Sequence, residues 1–235
     1  MINTLNESSL HKSLKTLYCK KVNGQVEIKI KNWICDIVAD KNIIEIQTGN
    51  LSSLKNKCAD LLKDSYCVTI VAPLITCKTI VKQENEETKK RKSPKKDTIY
   101  SFLKNLTGIY PLLLEKNFSL EIPFVHISEE RRILDYPVQS QNKRRRFTKN
   151  WLKVNKYLDL IEKTMIFNKK EHYLALLPKE LKAQFSSADI KNAFLKEGIK
   201  ITASNASLIC WLFLRMGLIK LLEQKGRLKI YQLNQ

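Results

Sequence analysis

The chain has 235 residues, 43% apolar and 28% charged. That composition suits one or two globular domains and excludes a disordered chain. The 42 Lys and Arg outnumber the 23 Asp and Glu, for a net charge of +19, which excludes an acidic solvating protein and favours an anionic partner.

No apolar run reaches the roughly 18 residues of a membrane span, and the first residues carry no basic or apolar leader, so no membrane partner is expected. The six cysteines form no Cys-x-x-Cys pair. They read as reduced core thiols of a cytoplasmic protein rather than as a zinc site or a disulfide framework.

Periodicity predicts a helix opening at Asn6, with Leu10, Leu14 and Leu17 on one stripe. Val26, Ile28 and Ile30 alternate with charged residues as in a half-exposed strand, Trp33 to Val38 form a nearly continuous apolar strand, and Ile43 to Thr48 complete a hairpin with it. A helix over 51–62 and a long apolar strand over 66–81 follow. Residues 82–97 read as a charged loop, 98–106 as a helix and 118–127 as a strand. Residues 135–149, with Pro137 and Lys143-Arg144-Arg145-Arg146, read as a linker. Beyond it the pattern predicts an amphipathic helix over 148–167, a helix opened by Ser186-Ser187-Ala188-Asp189, an apolar helix over 204–216, and two strands around Gly226. The expected division is 1–134, a basic linker 135–149, and 150–235.

Three acids stand where a core prefers apolar side chains. Glu7 shares the stripe of Leu10, Leu14 and Leu17, Asp36 interrupts one apolar strand, and Glu45 interrupts the next, with Gln47 on its face. A buried, unpaired carboxylate costs several kcal/mol, so such residues need a cation or hydrogen bonds. Three converging carboxylates call for a divalent metal, and oxygen ligands suit Mg²⁺. His11, His126 and His172 show no ligand spacing and read as ordinary polar or core histidines.

Asp36, then Glu45-Ile46-Gln47, with a carboxylate in the preceding helix, resembles the PD-(D/E)XK nuclease superfamily in a Glu-x-Gln variant. The helix, three strands, helix, strand order is similar to that superfamily's core. The resemblance implies an α/β fold, a restriction-endonuclease-like mixed sheet flanked by helices. It also implies Mg²⁺-dependent phosphodiester hydrolysis, with Mn²⁺ as a substitute. Asp36 and Glu45 match the metal-binding acids, Gln47 takes the position usually held by Lys and would orient water, and Glu7 matches a first-helix Glu of some members.

Two runs are candidate phosphate contacts: Lys89, Lys90, Arg91, Lys92, Lys95 and Lys96, and then Arg144, Arg145 and Arg146. The C-terminal pattern resembles a small winged helix-turn-helix domain, with Ser204 and Asn205 opening its third helix and Lys225 and Arg227 at the wing tip. The resulting expectation is a Mg²⁺-dependent DNA endonuclease with a winged-helix appendage, nucleoid-associated in the cytoplasm or nuclear in a nucleated cell. A homodimer would supply two sites for cutting two strands. The rival is a non-catalytic DNA- or protein-binding factor on a degenerate nuclease fold.

Overall fold

The computed structural model describes residues 8–84, 87–140 and 146–234. The first helix, α1 (Ser9–Val22), is capped by Ser8, whose hydroxyl accepts the His11 N–H. Its buried stripe is Leu10, Leu14 and Tyr18, stepping by four, and Leu17 is 46% exposed, so the stripe is turned from the one expected. The strands β1 (Gln25–Ile30), β2 (Trp33–Ala39) and β3 (Asn42–Ile46) form an antiparallel meander. Both of its hairpins turn through two residues, with Lys31 and Asp40 in left-handed conformations, the geometry that matches strand twist. A 3₁₀ turn (Leu51–Leu54) and α2 (Lys55–Lys63) then cross over to β4 (Cys67–Val71), which runs parallel to β3.

The apolar stretch 66–81 is one line in two pieces. After β4 the strand breaks at Ala72-Pro73, since proline has no N–H for the ladder. It resumes as β5 (Leu74–Glu84), and both pieces run parallel to β7 (Phe118–Val138). Between them lie β6 (Glu87–Lys92), α3 (Ile99–Phe102) and two 3₁₀ turns. β8 (Lys149–Phe167) covers the other side of β7 in antiparallel register. The result is a mixed sheet flanked by helices, with strand order β1-β2-β3-β4-β7 in its lower part and β6-β5-β7-β8 in its upper part.

The structure corrects the sequence reading in three places. Residues 82–97 are not a loop: most of them complete β5 and form β6. Residues 148–167 are not a helix. Leu158 and Ile161 of β8 face Ile127 and Val125 of β7, a step of three residues against a step of two, because register shifts add residues to β8. Those bulges give a strand the apolar spacing of a helix. Of the expected linker, 135–138 and 149 are strand residues of β7 and β8, and 150–167 belong to the large sheet rather than to the C-terminal unit.

The C-terminal unit holds α4 (Lys170–Leu174), β9 (Gln184–Phe185), α5 (Ser187–Lys196), α6 (Ala203–Arg215), β10 (Ile219–Lys225) and β11 (Leu228–Leu233). Its small sheet has the order β10-β11-β9. It shares a core with the first unit: Phe194, Cys210 and Phe213 cluster with Leu106, Cys58 and Leu120, and the Tyr100 and Phe194 rings lie 4.7 Å apart. A second cluster packs Leu10, Leu14 and Tyr18 of α1 against Ile37, Ile44, Ile46, Val125 and Ile127. At the start of α5, Ser186 Oγ accepts the Asp189 N–H at 3.2 Å and Asp189 Oδ2 accepts the Ser186 N–H at 2.8 Å. Ser186→Ala is expected to cost about 1 kcal/mol, read by urea denaturation. An unchanged midpoint would show that this cap does not hold the helix.

Candidate active site

The chemistry gathers where β2 and β3 part. Their ladder pairs Ile37 with Ile44 and goes no further toward Asp36 and Glu45. There the two side chains replace the backbone bonds. Asp36 Oδ2 accepts the Ile46 N–H at 2.8 Å, and Glu45 Oε1 accepts the Asp36 N–H at 3.3 Å. The β1–β2 ladder also skips the pair opposite Asp36, at Glu27, whose φ is +56°. A left-handed non-glycine residue inside a strand is strained backbone, and this one lies beside the two acids.

Each carboxylate has a cationic or polar partner from a different helix. His11 Nε2 of α1 lies 3.5 Å from Asp36 Oδ2. Lys57 of α2 reaches Glu45 Oε2 at 2.5 Å and donates to the Ile34 carbonyl at 2.6 Å. Glu45 and Lys57 are both buried, at 2% and 7% exposure. Burial opposes the charge on Asp36, but the hydrogen bonds from His11 and the Ile46 N–H outweigh it and hold the carboxyl below its ordinary range. Burial pushes Glu45 the other way, up to about 7, with Lys57 pulling against it and Asp36 adding repulsion. One acid is thus firmly ionised at neutral pH and its neighbour titrates there.

The structure brings Asp36 and Glu45 together as their spacing predicts. Gln47 is turned onto the following loop, where its amide donates to Ser53 Oγ at 3.0 Å and its carbonyl accepts the Gly49 N–H at 3.2 Å. Position 7 lies outside the described residues, as do Arg144 and Arg145. Sequence reasoning missed His11 and Lys57. Lys57 had a legible signal: it stands between Leu54 and Leu61 at helical spacing, a charge in an apolar stripe. Among the described residues there is no group of three or more His, Cys, Asp or Glu set to hold a metal. Two carboxylates plus water and substrate phosphate are nevertheless an ordinary donor set for Mg²⁺.

The basic residues of the first run divide between strand and loop. Lys89 to Lys92 lie on β6, Lys95 pairs with Asp97 at 3.3 Å, and Lys96 is exposed. Arg146 sits 5.2 Å from the Phe147 ring. In the C-terminal unit Ser204 and Arg227 line one open cleft of about 500 Å³ with Ser207, Trp211 and Lys229. Asn205 is in the first turn of α6, where its N–H donates to Thr202 Oγ1, and Lys225 pairs with Glu223 at 2.8 Å. No helix among the described residues is long and apolar enough to cross a membrane.

The fold and site define a mixed α/β protein with two acids at the parting of a central hairpin. The chain belongs to a family described as a domain of unknown function, DUF8091, whose model matches residues 8–168. That match takes in the whole large sheet, both acids, His11 and Lys57, and ends where β8 ends. An uncharacterized protein of Treponema pallidum (strain Nichols) is 31% identical over 149 residues, which is 62% of this chain and 58% of that relative. The chain thus aligns with little more than half of its curated relative. No solved structure matches it.

Proposed function

We propose that the chain is a Mg²⁺-dependent DNA endonuclease of restriction-endonuclease-like architecture, similar to the PD-(D/E)XK superfamily. One observation carries the reading. In a helix, three-strand meander, helix, parallel-strand frame, Asp36 and Glu45 meet where the second and third strands part. The C-terminal order of short helix, strand, two helices and hairpin supports a winged helix-turn-helix appendage. Its third helix would be α6, with Ser204 and Asn205 at the opening end and Lys225 and Arg227 at the wing.

Asp36 and Glu45 would hold the metal. Bound there, Mg²⁺ would supply Lewis-acid polarisation of a phosphodiester. The chain's own groups do the rest. His11 and the Ile46 N–H fix Asp36 as an anion. Lys57 holds Glu45 in place and puts an ammonium at the site in the absence of a Lys two residues after Glu45. Gln47, packed on Ser53, positions the loop after β3. The test is cleavage of a DNA panel (duplex, single-stranded, branched) by the wild-type protein in Mg²⁺, Mn²⁺ and EDTA. Metal-dependent cleavage is expected; binding without cleavage in either metal rejects the reading.

The second reading is a non-catalytic DNA-binding factor. The Glu45–Lys57 pair favours it, because a lysine already neutralises the acid that a metal would need. The two readings part on Mn²⁺ titration of Lys57→Met stripped of metal and exchanged into chelator-free buffer: a metal site should then gain affinity for Mn²⁺, and a purely structural pair should not.

A further inference from the structure

The upper part of the large sheet is a four-stranded arm. β3 and β4 end together at Ile46 and Val71, level with Glu121 of β7. β7 continues to Val138 with β5 and β6 on one side and β8 on the other. The arm therefore projects from the edge of the sheet at which Asp36 and Glu45 lie.

Its two faces differ in charge. The face shared with α1 is fixed by Val125 and Ile127, which pack on Leu10 and Leu14. Continuing outward from Ile127 on this face, registers align Arg91, Ile80, Glu129 and Lys156 in one row, and Lys82, Arg131 and Lys153 in the next. Glu129 is 5% exposed and is gripped by Arg131 and by Lys78 at 3.4 Å. It offsets part of their charge, and the cations of both rows still outnumber it. Desolvation pushes the Lys156 ammonium below its ordinary value, and Lys153, Lys78 and Lys95 add repulsion, so like charges crowd one surface. Three further acids of the ribbon are on the other face, where Tyr157 donates to Glu130, Ser128 to Asp159, and Glu162 meets His126 and Thr76.

Such segregation in adjacent rows implies a polyanion as the partner. The dimensions favour a duplex. Four strands at ~4.8 Å put the outer two about 14 Å apart as far as Arg132, and the β7–β8 ribbon continues to Val138, so that Ile127 to Val138 rise about 36 Å, close to one duplex turn of ~34 Å. A single strand would call for open aromatic rings among the cationic rows, but Trp151 is covered there by the Arg131 guanidinium at 3.8 Å, Tyr157 is on the opposite face, and the exposed Tyr136 and Phe147 lie further out toward the end of the ribbon.

We infer that the α1-side face of the arm is a docking surface for the phosphate backbone of a nucleic-acid duplex, with Lys82, Arg91 and Lys153 as its contacts and the duplex led toward Asp36. The surface differs from the charged loop read from the sequence. It draws on β5, β6 and β8 together, and it uses Arg91 but leaves Lys90 and Lys92 on the opposite side. It requires no cleavage and stands apart from the nuclease reading.

The test is anisotropy titration of a 20-base-pair duplex (a length of about two turns) with the full chain in EDTA. Lys82→Gln/Arg91→Gln/Lys153→Gln is compared with the opposite-face set Lys90→Gln/Lys92→Gln/Arg132→Gln, which removes the same charge. The first is expected to bind at least tenfold more weakly, with a salt slope shallower by about 2 to 3, at ~0.9 per lost phosphate contact. The second should stay within twofold of wild type. Should the triple variant fail to fold by its melting curve, the exposed single change Lys153→Glu carries the same comparison against Lys90→Glu. Equal weakening by both sets overturns the inference in favour of net charge alone, and so does no weakening by either. Face-dependent binding of anionic vesicles with no duplex binding overturns it in favour of a membrane. If the wild type never cleaves DNA yet shows face-dependent binding, the nuclease reading falls and the docking surface stands.

Discussion

On the proposed nuclease reading, Asp36→Asn is expected to lower Mg²⁺-dependent cleavage by about a thousandfold or more, a loss of about 4 kcal/mol at ~1.36 kcal/mol per factor of ten, while the melting temperature stays within a few degrees of wild type. The substitution is nearly isosteric. Its carbonyl oxygen can still accept the Ile46 N–H that Asp36 Oδ2 accepts at 2.8 Å, so the parting of β2 and β3 keeps its side-chain bridge. What disappears is the negative charge that His11 and that N–H hold in place. Cleavage is followed on the preferred substrate at saturating Mg²⁺, with circular-dichroism melts in parallel. Retention of activity within tenfold would remove Asp36 from the site.

Lys57→Met should be the most damaging single change to stability, at about 3–5 kcal/mol, because it strands a buried carboxylate and leaves the Ile34 carbonyl without its donor. In a protein of this size that is a fall in Tm of about 10 °C. Glu45→Leu/Lys57→Met should recover much of the loss, since exchanging a whole buried pair for apolar groups is often neutral. A double variant no more stable than Lys57→Met would show that the ammonium stabilises through Ile34 rather than through Glu45.

The same acid sets a pH dependence. Burial raises Glu45 to about 7, so between about 4.5 and 7 the folded chain keeps a proton that the unfolded chain has released. That contribution is fully present below the ordinary carboxyl value and is lost as pH rises through 7. Asp36, held low, contributes with the opposite sign: its stabilisation is present at neutral pH and is lost on acidification. Melts in EDTA from pH 5 to 8 should therefore show a decline in wild type that is absent in Glu45→Leu/Lys57→Met. A parallel decline in both would assign it to other groups.

The lower sheet was legible because its signals are local. Two-residue turns, alternation in β1 and the nine-residue step from Asp36 to Glu45 each lie within one hairpin. The arm was not legible because its signals depend on partners. β6 has no apolar face of its own and is exposed at every residue; only pairing with β5 makes it a strand. β8 misled through its bulges, which space Leu158 and Ile161 as a helix would. At the site, interruption of an apolar pattern exposed the acids. Lys57 breaks the α2 stripe in the same way, but a lysine in a helix carries less surprise than an aspartate in a strand, since its long stem so often lies along apolar surface. His11 offered no such signal, because its partner comes from a strand 25 residues away.

The bulges of β8 have one more effect. β8 runs for 19 residues and, among the described residues, pairs only with β7, so its outer border presents open backbone donors and acceptors to the surroundings. A straight ribbon of that length would be a template on which another molecule could add strand after strand. Extra residues at three places along the pairing with β7 twist and bend that border out of step with any regular partner, and lysines at 153, 156 and 163 add mutual repulsion. The irregularity that hid the strand in the sequence is thus also what guards a long cationic arm against growing into a fibre.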